Sequence, residues 1–118
     1  MADVTVYHNP NCNSSKTALA MAADAGVEVD VIQYLKTKPD AEELGEIVRK
    51  LQGPVTEMVR RDAFFAQLGL TDADVETAEQ IIPLLVEHPR LLQRPIVVRG
   101  DRAVVGRPKE RIADLLDG

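Results

Sequence analysis

The chain contains one cysteine, Cys12, and that scarcity excludes a good deal. A lone cysteine cannot close an internal disulfide or supply a cysteine-based zinc site. A chain that needs no disulfide most simply belongs in a reducing cytoplasm. Tryptophan is absent and aromatic residues make up 3% of the chain, which argues against an aromatic platform for stacking single-stranded nucleic acid. Fourteen basic residues face nineteen acidic ones, for a net charge of −5. A general nucleic-acid binder carries the opposite excess, although a local basic pocket is still compatible with this balance. No apolar run approaches the ~20 residues that span a bilayer, and the first residues lack the basic-then-apolar pattern of a leader. There is no glycine-rich phosphate loop and no dinucleotide fingerprint. Two histidines far apart in sequence lend little support to a bound metal.

What is present reads as one soluble domain covering residues 1–118: 45% hydrophobic and 28% charged residues suffice for a buried core without staples. Val4 to Tyr7 is a β-branched and aromatic run, hence a strand, followed by turn chemistry in His8-Asn9-Pro10-Asn11. A helix starts at Ser14, with Ala18, Leu19, Ala22 and Ala23 on one face and Gly26 as its stop. Glu28 to Tyr34 reads as a second strand. This β-α-β order predicts two parallel strands. Pro39-Asp40 opens a second helix that buries Leu44, Ile47, Val48 and Leu51 and breaks at Gly53-Pro54. Thr56 to Arg61 is expected as a short helix carrying Arg60 and Arg61, with a further turn closing at Leu68-Gly69-Leu70. Thr77 to Glu87 is another helix, with Ile81, Leu84 and Leu85 inward and Pro83 inside it. Ile96-Val97-Val98 and Ala103-Val104-Val105 flank Arg99-Gly100-Asp101-Arg102 as an antiparallel hairpin. Pro108 is expected at the first position of a closing helix with Ile112, Leu115 and Leu116 on its face. The expected fold class is α/β: a small mixed sheet, β-α-β then β-β-α, with helices inserted between the two halves.

Cys12 is the foremost candidate for chemistry. It stands where the first strand hands over to the first helix, and free amides and the helix dipole at such a terminus favour an anion. A thiol there can ionise well below ~8.5, and the thiolate is the nucleophile. Ser14 and Ser15 can cap the helix or donate to either anion. The competing reading is a buried, inert cysteine; the polar, asparagine-flanked loop favours reactivity. Ser15 stands in place of the second thiol of a Cys-x-x-Cys pair, giving Cys-x-x-Ser, so any redox cycle through Cys12 must use an external thiol. Arg60, Arg61, Arg94 and Arg107 lie beside structural breaks, and converging guanidinium forks would suit a tetrahedral oxyanion. Taken singly, each reads equally as a solvated or acid-paired surface charge. His8 could polarise the thiol, orient the loop or simply fill the core. His88 reads as helix-end chemistry.

With these residues in place, the sequence resembles the glutathione- and glutaredoxin-dependent arsenate reductase family. The similarity is carried by Val6-Tyr7-His8-Asn9-Pro10-Asn11-Cys12, by Gln67-Leu68-Gly69-Leu70, by Leu91-Leu92-Gln93-Arg94-Pro95-Ile96-Val97-Val98 and by Gly106-Arg107-Pro108, and it runs from Val4 to about Leu116. The resemblance implies a thioredoxin-like fold with a helical insertion and Cys12 as nucleophile. It implies an anion site of Arg60, Arg94 and Arg107, with Arg94-Pro95 at the family's cis-proline position. It links His8 to activation of the cysteine and treats Arg61 and Ser15 as supporting positions, with Asn13, Ser14 and Ser15 lining the substrate. Lys16 and Asn13-Ser14 depart from the commonest residues of that loop. The implied partners are arsenate, glutathione or another low-molecular-weight thiol as co-substrate, and glutaredoxin, with no bound cofactor, metal, nucleic acid or membrane. Two alternatives stay open. One is a same-fold regulator that binds RNA polymerase, although the Cys-x-x-Cys switch common there is missing. The other is a family member acting on a different oxyanion or thiol substrate.

Overall fold

A computed structural model describes residues 4–117; the part of the leader reading that rests on residues 1–3 lies outside them. Four strands form one sheet: β1 (Val4–His8), β2 (Val29–Gln33), β3 (Ile96–Arg99) and β4 (Arg102–Val105). Their order is β2-β1-β3-β4. The first pair is parallel, as a β-α-β unit demands, and the other two are antiparallel. The helices are α1 (Asn13–Asp24), α2 (Ala41–Lys50), α3 (Ala63–Gln67), α4 (Ala78–Glu87) and α5 (Glu110–Asp117). Helices α2 to α4 are the insertion between the β-α-β and β-β-α halves.

Side chains alternate across a strand, so neighbouring rows face opposite layers. The row Tyr7, Ile96 and Val105 packs with Leu44 and Ile47 of α2, Phe65 of α3, and Ile81 and Leu85 of α4. The row Val6, Val97 and Val104 packs on the other face with Ala18 of α1 and with Ile112 and Leu115 of α5. Small residues at Ser15, Ala18 and Ala22, all buried, let α1 lie close to the sheet.

Local chemistry accounts for the helix starts. Asp40 accepts the Glu43 amide ahead of α2 at 2.8 Å, and Thr77 with Gln80 makes a reciprocal capping box ahead of α4. That box keeps α4 intact from Ala78 although Pro83 lies inside it. The hairpin turns at Gly100, whose φ of 62° is the left-handed region that glycine occupies without strain.

Two expectations are corrected. Thr56 to Arg61 does not form a helix carrying both arginines. A 3₁₀ turn ends at Met58, and Val59 then bridges Leu92 in antiparallel fashion. The Arg60 amide donates to the Leu91 carbonyl and the Gln93 amide to the Met58 carbonyl, each at 2.7 Å. These inter-segment bonds replace helical ones and leave Arg60 and Arg61 outside any helix. Pro108 likewise precedes the closing helix: α5 starts at Glu110, and Pro108 belongs to the turn in front, where its carbonyl accepts the Arg111 amide at 3.1 Å. Smaller differences lie at Tyr34, just beyond β2, and at Leu84, which is half-buried.

Candidate active site

The sheet's geometry gathers the site. Strand β2 runs parallel to β1, β3 runs against it and β4 against β3. The ends of β1, β2 and β4 and the start of β3 therefore share one edge. Cys12, Arg94 and Arg107 all stand in segments that leave or enter that edge.

Asn9 makes the turn that presents the cysteine. Its side-chain oxygen accepts the Asn11 amide at 2.9 Å, its carbonyl accepts the Cys12 amide at 3.0 Å, and its own amide donates to Ser15 Oγ at 3.3 Å. Cys12 is thereby fixed as the residue preceding α1, in extended conformation. Ser15, fully buried, acts as a brace between loop and helix. Asn13 is exposed, and its carbonyl accepts the Thr17 hydroxyl. Ser14 reaches the sulfur through its amide.

Cys12 is only 7% exposed, and burial pushes a thiol up because it disfavours charge. The surroundings outweigh that. The Ser15 amide, a hydrogen bond from Arg94, the Ser14 amide and the charge of Arg94 bring the thiol down to about 7. Arg107 Nη2 donates to the sulfur at 3.5 Å, and its Nε donates to the Arg94 carbonyl at 2.8 Å. One guanidinium thus holds both the sulfur and the backbone that carries the other. Burial works against the charge of Arg94, but Cys12 and Tyr34 overcome it, so its affinity for the proton rises.

The remaining sequence candidates are distributed unevenly. Arg60 pairs with Asp62 at 3.5 Å, and among the described residues no hydrogen bond joins it to the sulfur. Arg61 is turned away from the site: its Nε donates to Asp72 at 2.8 Å, and Nη1 donates to the Thr56 and Val59 carbonyls. His8 is buried, and among the described residues its Nδ1 has no hydrogen-bond partner. Burial and then the charge of Lys16 lower its pKa, which favours the neutral ring. His88 closes α4, its amide donating to the Leu84 carbonyl at 2.8 Å.

Asn9 and Gly106 were not singled out by pattern. A turn-forming Asn-Pro just ahead of the cysteine was the available signal for Asn9. Gly106 offered none. A Cβ there would lie 2.8 Å from both Ile112 Cδ1 and Pro95 Cγ, so only glycine lets the Arg107 segment approach the Pro95 turn. Both Arg94-Pro95 and Arg107-Pro108 are cis. A cavity of about 340 Å³ between the start of α1 and the turn after β4 is lined by Ser14, Thr17, Gly106, Arg107, Pro108 and Lys109. Among the described residues no group of three or more His, Cys, Asp or Glu side chains is placed to hold a metal, and no helix is long and apolar enough to cross a membrane.

Fold and site together define a class: a thioredoxin-like α/β protein with one activated thiol at a helix N-terminus, flanked by arginines. Comparison with known proteins narrows it. The model of the ArsC family matches residues 7–115, and the chain belongs to that family. It is 36% identical to the arsenate reductase of Neisseria meningitidis, over 98% of this chain and 100% of that protein. It is also 36% identical to an arsenate reductase of Escherichia coli, over 98% of this chain and 82% of that protein. The structure of the arsenate reductase from Vibrio cholerae superposes with a TM-score of 0.84 at 35% identity, covering 96% of this chain and 97% of that one.

Proposed function

We propose that the chain is an arsenate reductase that draws its electrons from glutathione and glutaredoxin. The observation that carries the reading is the Cys12 sulfur, lowered to about 7 and held by Arg107 at 3.5 Å with Arg94 beside it. A nucleophile and an oxyanion-binding set meet at one point.

Arsenate is a tetrahedral oxyanion. Its oxygens take the donors of Arg94 and Arg107 and the amides at the start of α1, while Arg60 joins by exchanging Asp62 for the anion. The Cys12 thiolate attacks arsenic and forms an S–As bond, and one arsenate oxygen leaves as water after protonation. The chain has no second thiol, so glutathione supplies one. Its sulfur bonds to arsenic and displaces a second oxygen as water. A glutaredoxin thiolate then attacks the glutathionyl sulfur. The As–S bond to glutathione breaks, its electron pair stays on arsenic, and a mixed disulfide departs. Arsenic is now As(III) on Cys12; water hydrolyses the remaining bond, releasing arsenite and the thiolate. Two thiols are oxidised to one disulfide as As(V) becomes As(III). The cavity lined by Ser14, Thr17, Arg107 and Lys109 shares Arg107 with the sulfur and is the route we assign to the external thiol. A free thiol with this role fits a reducing cytoplasm.

The test is a coupled arsenate-reduction assay with glutathione and glutaredoxin. The protein turns over arsenate, and Cys12→Ser, folded by circular dichroism, does not. Full activity in that variant ends the proposal. Turnover of another oxyanion or of a disulfide in place of arsenate moves the reading to a different substrate.

A further inference from the structure

Three buried polar atoms lack hydrogen-bond partners among the described residues: His8 Nδ1, Arg94 Nε and the Tyr34 hydroxyl. The last two are complementary, since Nε–H can only donate and a tyrosine oxygen can accept. The sheet also brings them together. His8 pairs with Gln33, and Tyr7 with Ile96. Tyr34 follows β2 directly and Arg94 stands two residues before β3, so both leave the same edge of the sheet, one on each side of the segment that follows β1. Tyr34 is 0% exposed and belongs to the same core cluster as Leu44, Met58, Leu91, Leu92 and Ile96, so its ring has no freedom to carry the hydroxyl out to solvent. Leaving such a group unsatisfied is unfavourable, and the Arg94 Nε–H is the complementary unpartnered donor.

We infer that Tyr34 is a positioning residue: its hydroxyl oxygen accepts from the Arg94 guanidinium and holds that fork against the Cys12 sulfur, on which the anion site is built. Tyr34 accordingly counts among the groups that keep Arg94 charged. The other charged group on the sulfur is Arg107, which reaches it from the segment after β4. The inference adds a second anchor: Arg107 is fixed through the Arg94 carbonyl and Arg94 reaches the sulfur, while its Nε has no hydrogen-bond partner among the described residues. It deepens the oxyanion-site reading but concerns the thiolate, so it can be tested without any arsenate turnover.

Tyr34→Phe keeps the ring and removes the hydroxyl. The rate of Cys12 alkylation by iodoacetamide is measured against pH in the wild type, in Tyr34→Phe, in Arg94→Ala and in the double variant. Tyr34→Phe is expected to raise the midpoint by about half a pH unit, roughly threefold in the ionisation equilibrium, and to leave the melting temperature unchanged or higher. In the Arg94→Ala background the same change is expected to do nothing further. An unmoved midpoint, or an effect of the same size without Arg94, overturns the inference, the second result placing the hydroxyl on another partner. Should Tyr34→Phe fail to fold, the unaltered protein still decides. The Arg94 Nε–H is expected as a slowly exchanging ¹⁵N-bound proton, and free exchange with solvent refutes the contact.

Discussion

Ionisation of Cys12 couples the site to folding, and the size of that coupling follows from the structure. In the unfolded chain the thiol titrates near ~8.5; in the fold it titrates at about 7. The folded value is the lower one, so the unfolded state binds the proton more tightly. The contribution to stability is fully present above ~8.5 and disappears as pH falls through 7. A depression of ~1.5 units corresponds to roughly 2 kcal/mol. That is a sizeable share of the ~5–15 kcal/mol by which domains are stable. The perturbation is pH, with Cys12→Ser as reference. Urea unfolding of both proteins at pH 9.5 and pH 6 cancels every other titrating group to first order, including His8 and Tyr7. The wild type is expected to lose about 2 kcal/mol more than Cys12→Ser between those values. Iodoacetamide labelling should reach half its maximal rate near pH 7. Parallel losses in the two proteins, or a labelling midpoint at 8.5 or above, would refute the account of how amides and guanidinium groups overcome burial.

Arg94→Lys keeps the charge but loses the planar fork that reaches the sulfur side and an anion together; kcat/KM for arsenate should fall at least ~10-fold, about 1.4 kcal/mol, and an unchanged value removes Arg94 from the site. Gly106→Ala places a Cβ at 2.8 Å from Ile112 and Pro95. Chemical denaturation should show a loss of ~1–3 kcal/mol from overpacking, with slower Cys12 labelling as Arg107 is displaced; wild-type stability and labelling would show that the turn yields freely.

The parts of the fold that could be read from sequence are those set by nearby residues. Strand β1, helix α1 with its stop at Gly26, and the β3–β4 hairpin around Gly100 each carry their own periodicity and punctuation. The segment from Thr56 to Arg61 failed for the complementary reason. Its residues tolerate a helix, and what makes them extended is pairing of Val59 with Leu92 and of Arg60 with Leu91, some thirty residues on. No local pattern encodes a partner at that distance. Pro108 misled in a similar way: a proline suits the first turn of a helix, but it suits the turn before one equally well, and tertiary contacts of Gly106 and Arg107 decide between them.

The site divides along the same line. Cys12 could be read as reactive because strand, turn and helix meet there within a few residues. The arginines could not be sorted by pattern. Arg60 and Arg61 are adjacent and chemically identical, yet Arg61 is spent on Asp72 and on the Thr56 and Val59 carbonyls, while among the described residues Arg60 pairs with Asp62 alone. Arg94 and Arg107 meet the sulfur from positions about 80 and 95 residues away in sequence. Their meeting follows from strand direction. With β2 parallel to β1, β3 opposed to it and β4 opposed to β3, the segments after β1, after β2, before β3 and after β4 must emerge at one edge. Cys12, Tyr34, Arg94 and Arg107 occupy those four segments. The sheet brings each group to the site from a strand end, and the inserted helices α2 to α4 can vary without moving any of them, provided the packing beneath Tyr34 is kept.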